Sequence, residues 1–205
     1  VEIAETSKIF ENVFRAVNIA LVNEMKIICN KINVDIFDVI KAASTKPFGF
    51  MPFYPGPGWG GHCIPIDPFY MSWLAKKYKV NAKFIDLAGK INSQMPKYVV
   101  SRLKKLLTTM KFKRTNKILI IGVTYRENVN DTRESPAIKI IQELRKENFV
   151  VNYHDPLVLK LEKFNLSSKK LSAKLIKKYD CIVITTHHKN IKWKLILNNS
   201  RSIID

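Results

Sequence analysis

A chain of 205 residues, 46% hydrophobic with 7 Gly and 9 Pro, can bury one generous core or two modest ones, and it contains no internal repeat or low-complexity tract. No run approaches the roughly 18 apolar residues of a bilayer span, and Val1 to Glu5 has neither a basic nor an apolar leader region, so a membrane protein is excluded and a cytoplasmic one expected. The net charge of +18, from 35 Lys+Arg against 17 Asp+Glu, suits nucleic acid, an acidic surface or a phosphorylated small molecule, but pairs such as Lys76-Lys77 and Lys169-Lys170 are scattered and form no arginine-rich reading element.

The predicted elements begin with a long helix from Ala4 to about Lys31, where Ile9, Val13, Ala16, Val17, Ala20, Leu21 and Ile28 recur at helical spacing without Gly or Pro. Asp35 suits the cap of a second helix reaching about Ala43. A loop rich in Pro, Gly and aromatics then runs from Thr45 to Cys63. Asp67-Pro68 opens a third helix to about Tyr78, with Asp as the expected N-cap, and a fourth covers Ala82 to Met110 around Pro96. The texture changes at Lys117. Ile118 to Gly122 is a short apolar strand, Ser135-Pro136 opens an amphipathic helix to about Glu147, and Phe149 to Tyr153 is a second strand, which makes a βαβ unit. Asp180 to Thr185 and Arg201 to Ile204 are further strand candidates, so the second half is expected to hold a parallel sheet. The fold class is therefore α/β, with an all-helical domain at 1–105, a parallel-sheet domain at 106–205 and a boundary in the stretch 96–115. The start lacks Met and the last residues stop on a strand pattern, so both ends read as cut.

Three cysteines cannot all pair and none makes a CxxC, which points to a reducing compartment. Cys29 and Cys181 sit in apolar patterns and read as small core residues. Cys63 follows the loop Gly56-Pro57-Gly58-Trp59-Gly60-Gly61-His62 and precedes a helix N-terminus, where backbone N–H groups and the helix dipole favour a thiolate. It is a candidate nucleophile. Asp67, four positions on, is open to capping its helix, to activating water, or to both. Lys8 and Asn12, one helical turn apart, share a face and offer a cation and an amide, although such a pair is also ordinary solvated surface. Tyr125 to Pro136 follows the first strand, where open parallel sheets bind ligands, and its Arg126 and Arg133 suit phosphates. No GxGxxG follows Gly122, so mononucleotide or pyrophosphate contact is the more modest inference. His62, Cys63, His154, His187 and His188 have no zinc-site spacing, and no metal is expected.

Three stretches, Ala4 to Asn12, Pro55 to Pro68 and Tyr125 to Pro136, together resemble the UDP-glucose/GDP-mannose dehydrogenase family in its central and C-terminal parts, and Phe53 to Pro68 is most similar to members acting on UDP-N-acetylhexosamines. The resemblance implies a helical dimerisation domain followed by a Rossmann-like UDP-sugar-binding domain. It also implies oxidation of the sugar C6 alcohol to a carboxylate with two NAD in succession. Cys63 matches the nucleophile that forms a thiohemiacetal and then a thioester, and it lies beside the cofactor. Lys8 and Asn12 match the pair that stabilises the oxyanion, and Asp67 the carboxylate that handles protons and water. Tyr54, Pro55, Gly56, Pro57, Gly58, Trp59 and Gly60 would lie along the nucleotide sugar, with Tyr125 and Arg126 reaching it from the second domain. Arg133 matches an arginine that contacts NAD.

Many UDP-glucose members carry Lys where this chain has Arg126, and Arg where it has Pro47 beside Lys46; both departures favour a different sugar. The family's N-terminal domain, with the dinucleotide fingerprint and catalytic glutamates, has no counterpart in these residues. The expectation is therefore a fragment that is inactive alone, acts in surface polysaccharide precursor synthesis when complete, and forms a homodimer or higher homo-oligomer. A basic nucleic-acid-binding module is the competing class, suggested by the +18 charge.

Overall fold

In the computed structural model, which describes residues 2–110 and 115–205, helical periodicity decides the first half. Helix α1 (Glu2–Lys31) buries Val13, Ala16 and Ala20 along one stripe. Helix α2 (Ile36–Ala43) starts where Asp35 accepts a hydrogen bond from the Phe37 amide at 2.9 Å, as its sequence signal indicates. Its Ile36 and Ile40 form a small core with Val22 and Cys29 of α1. Helices α3 (Asp67–Lys77) and α4 (Lys83–Thr109) follow, with Pro96 inside α4.

The second half is a sheet whose two central strands read as apolar runs because both of their faces are covered. Strands β1 (Lys117–Ile121), β2 (Val150–His154), β5 (Cys181–Ile184) and β6 (Ile203–Ile204) form one parallel sheet in the order β2-β1-β5-β6. The period of two sends alternate residues to opposite cores. Ile118, Ile120 and Val183 meet Ile140, Ile141 and Leu144 of α5 (Pro136–Lys146) on one side. Leu119, Ile121 and Ile182 meet Ile176 of α6 (Ala173–Ile176) and Ile196 of α7 (Trp193–Asn199) on the other. Ser135 caps α5 through the Ala137 amide. A two-residue hairpin, β3 (Lys160–Leu161) with β4 (Leu166–Ser167), is an addition to the sequence reading, as are α6 and α7.

The chain divides into compact units Val1–Met95 and Pro96–Asp205. Leu103 and Leu107 of α4 are 1% exposed and pack in the sheet's core, so this part of the helix belongs to the second unit and the division lies before the expected 105/106. Residues 111–114, inside the stretch expected to hold the boundary, lie outside the described residues.

Candidate active site

The loop between α2 and α3 carries the exposed Cys63. Gly58 and Gly61 have φ of 134° and 92°, which L side chains rarely adopt, so the glycines at these two positions answer a backbone requirement. The Cys63 carbonyl accepts the amides of Ile66 (3.0 Å) and Asp67 (2.8 Å), a turn that leads into α3. This corrects the expected cap: Ile66 is the N-cap residue, without a side-chain cap bond, and Asp67 is the first helical residue. Its carboxylate is instead engaged by α1, where Asn12 Nδ2 donates to Asp67 Oδ2 at 2.7 Å. Asn12 is 2% exposed, so this is a buried amide aimed at a half-buried carboxylate one turn from the thiol's own residue.

Lys8 ends elsewhere. Its ammonium is 3.0 Å from Glu11 Oε2, both groups are well exposed, and the bond to Lys8 holds the Glu11 carboxyl below its ordinary range. The two donors expected to converge thus have different partners, because Asn12 faces inward and Lys8 outward.

Of the expected substrate-binding loop, Tyr54 is exposed and stacked on Phe37 with centroids 6.4 Å apart, while Pro55, Gly56, Pro57, Gly58 and Gly60 are half-buried. Trp59 differs. It is 5% exposed and meets Phe69 edge-on at 5.8 Å, so its indole is a packing group.

In the second unit, the loop after β1 holds Tyr125, half-buried, and Arg126, exposed. The Tyr125 amide donates to the Asp131 carbonyl at 3.0 Å, and Thr124 Oγ1 donates to the Arg126 carbonyl at 2.8 Å. Arg133 is clamped onto Asp131, Nε and Nη2 both donating to its carboxylate, and this raises the guanidinium above its ordinary range.

Beneath the loop is a pair that sequence reading did not single out for this purpose. His188 and Asp155 are each 1% exposed, with Nε2 and Oδ2 at 3.1 Å. His188 Nδ1 accepts the Asn128 amide at 3.0 Å, which assigns the ring proton to Nε2, shared by Asp155 and Thr124 Oγ1 (3.1 Å). Asp155 Oδ2 also accepts the Val123 amide at 2.7 Å, and Oδ1 those of Leu157 and Val158. The pair ties the ends of β2 and β5 to the loop carrying Tyr125 and Arg126. Its only sequence signal is position, at the carboxyl ends of parallel strands. Among the described residues no group of three or more His, Cys, Asp or Glu stands together as a metal site, and no helix is long and apolar enough to cross a membrane.

A helical unit presenting a loop cysteine, joined to a parallel-sheet unit with the Tyr125 and Arg126 loop at its strand ends, defines a class, and comparison identifies it. The chain belongs to the UDP-glucose/GDP-mannose dehydrogenase family: the profile of the family's central domain matches residues 2–94 and that of its UDP-binding domain residues 119–205. A UDP-N-acetyl-D-mannosamine dehydrogenase of Methanococcus vannielii is 41% identical over 189 residues, 92% of this chain and 42% of that protein. A UDP-N-acetyl-D-glucosamine 6-dehydrogenase of Pseudomonas aeruginosa is 38% identical over 77% of this chain and 37% of its own length. The solved structure of a UDP-D-ManNAc dehydrogenase from Pyrococcus horikoshii superposes with a TM-score of 0.83 at 33% identity, covering 98% of this chain and 47% of that one. The chain thus spans less than half the length of these relatives. Membership in this family accounts for the chain without the nucleic-acid-binding alternative.

Proposed function

We propose that the chain is the central and UDP-binding part of an NAD-dependent dehydrogenase that oxidises C6 of a UDP-N-acetylhexosamine to the uronate, for surface polysaccharide precursors. The observation that carries this reading is the Asn12–Asp67 hydrogen bond at 2.7 Å beside the exposed Cys63. Cys63 Sγ, as thiolate, adds to the C6 aldehyde to give a thiohemiacetal, and after its oxidation water cleaves the thioester and returns the thiolate. Asn12 Nδ2 carries a second hydrogen for the developing oxyanion, and Asp67 accepts a proton from the attacking water. Lys8 joins the oxyanion site by exchanging Glu11 for it, an exposed pairing that costs little to break.

NAD, when bound, supplies the hydride acceptor for both oxidations. Of the residues described, Arg133 fits a contact to its phosphates, since its side chain is 68% exposed even while bonded to Asp131. The βα turn after β1 does not fit a dinucleotide cradle, because its Gly122 packs tightly against Thr186 rather than opening a glycine-rich turn. The 205 residues alone are therefore expected to be inactive. In this reading the thiol and the Tyr54–Gly60 loop are the helical unit's functional residues, and Tyr125 and Arg126 are those of the sheet unit. A homodimer is part of the proposal, because Ile3, Phe10, Phe14, Leu21 and Ile28 leave an apolar seam at coiled-coil spacing exposed along α1. A cytoplasmic location suits a free thiol at the reacting position.

The test is alkylation of Cys63 with and without UDP-N-acetylglucosamine and its galacto and manno epimers. Slower alkylation with at least one of them, and none of that protection from UMP-free hexosamine, supports the reading. Equal rates with every nucleotide sugar overturn it.

A further inference from the structure

Two asparagines outside the site just described meet in the interior of the helical unit. Asn23 of α1 is 0% exposed and Asn92 of α4 1%, and they lie 69 positions apart. The Gly56 amide donates to Asn23 Oδ1 at 2.9 Å, Asn23 Nδ2 donates to Asn92 Oδ1 at 3.0 Å, and Asn92 Nδ2 donates to the Ala16 carbonyl at 2.9 Å. The row has a direction. It starts at a backbone donor and ends at a backbone acceptor, so flipping either amide would set like groups against each other, and the assignment of oxygen and nitrogen is unique.

Buried amides are costly unless hydrogen-bonded, and an apolar pair would fill the same space without that demand. What the polar pair adds is a fixed point for a backbone outside regular secondary structure. The loop is held by packing on both sides of Gly56: Phe53 against Phe14, centroids 5.9 Å apart, and Trp59 against Phe69. Packing of rings tolerates sliding, whereas a hydrogen bond from a backbone amide to a buried side chain sets one backbone atom to within a few tenths of an ångström. The same α1 carries Asn12, eleven residues and about three turns before Asn23.

We propose that Asn23 and Asn92 are positioning residues that register the Tyr54–Gly60 loop against α1 without touching substrate. The assignment of a nucleotide sugar as the loop's ligand rests on the proposed function; the registration of the loop does not.

The experiment measures hydrogen exchange and UDP-N-acetylglucosamine binding in Asn23→Ala, Asn23→Asp and Asn92→Asp. Asn23→Ala removes the acceptor, so exchange in peptides covering 53–61 rises about tenfold while α1 and α4 peptides change less, and the affinity falls by a similar factor. Asn23→Asp keeps an acceptor for Gly56 but sets a carboxylate oxygen against Asn92 Oδ1, so it lowers the melting temperature while loop exchange stays nearer wild type than in Asn23→Ala. Asn92→Asp keeps an acceptor for Asn23 but loses the bond to Ala16, so it lowers the melting temperature and leaves loop exchange near wild type. Loop exchange unchanged in Asn23→Ala, or rising equally in loop and helices, overturns the proposal. If Asn23→Ala does not fold, amide exchange of the wild-type protein decides: Gly56 protected beyond Gly58 and Gly60 supports the registration, and equal rates refute it. Loop exchange that responds as expected in a protein with no affinity for the nucleotide sugar leaves the registration standing and sinks the substrate assignment alone.

Discussion

Asn12 reaches across 55 positions of sequence to donate its amide to Asp67 at 2.7 Å, joining the buried face of α1 to the first residue of α3. Replacing Asn12 by Leu leaves that half-buried carboxylate without its charge-assisted partner, an expected loss of about 1–3 kcal/mol. Asp67→Asn keeps an acceptor oxygen in place and is expected to cost less. Urea unfolding of the two variants and their double mutant gives the coupling; a value near zero would show that the bond holds nothing together.

The three cysteines are expected to separate cleanly in a labelling experiment. Cys63 is exposed, Cys29 is 3% exposed, and Cys181 is fully buried with its thiol pushed up to about 11 by desolvation. Iodoacetamide at pH 7.5 should therefore modify one equivalent of thiol in the folded protein and three in urea. Mass mapping that finds Cys181 labelled as fast as Cys63 would contradict the burial.

What was legible in the sequence and what was not follow one physical division. The caps at Asp35 and Ser135 were readable because capping is local: the acceptor and the amide it binds lie two residues apart. Asp67 carries the same local signal but does not cap, since the residue that claims its carboxylate lies in another helix. The buried strands β1 and β5 announced themselves as apolar runs, but the β3–β4 hairpin and the four-residue α6 are too short to show a period. Trp59 in a glycine-rich loop had the look of a ligand contact, and only its packing against Phe69 shows its role in the core. Asp155 and His188 give no local signal because their partners, Val123 and Thr124, are 32 and 64 positions away.

Gly122 sets the end of β1 with φ of +80°, and a Cβ there would stand 2.5 Å from the Thr186 carbonyl oxygen and 2.6 Å from its Cβ. Gly122→Ala therefore combines backbone strain with overpacking, about 2–5 kcal/mol together. Gly49 has nearly the same φ, +79°, with nothing within 4 Å of a built Cβ. Gly49→Ala isolates the backbone part and is expected to cost only about 1–2 kcal/mol. Thermal unfolding of both variants checks the difference; equal losses would mean that Thr186 yields without cost.

The seam on α1 makes an oligomer testable in a single substitution. Phe10 is 67% exposed on it, so a charge there barely affects the folded chain but opposes a second copy lying along the helix. Phe10→Glu is expected to halve the mass measured by light scattering while leaving the circular dichroism spectrum intact. A wild-type protein already monomeric at 100-fold dilution and at high concentration alike would remove the seam's proposed role.

His154 links the sheet unit's stability to pH. Burial holds its imidazole below the ordinary range, and the hydrogen bond from Nδ1 to the Lys169 carbonyl at 2.8 Å opposes that shift without cancelling it. As pH falls through about 6.5 the unfolded chain takes up this proton before the folded one does, so stability is full above that value and declines below it. His154→Gln removes the proton site while keeping a side-chain amide to donate to Lys169. Wild type should therefore lose more of its urea midpoint than the variant between pH 7.5 and 5.5. Parallel losses in the two proteins would assign the acid sensitivity to other groups.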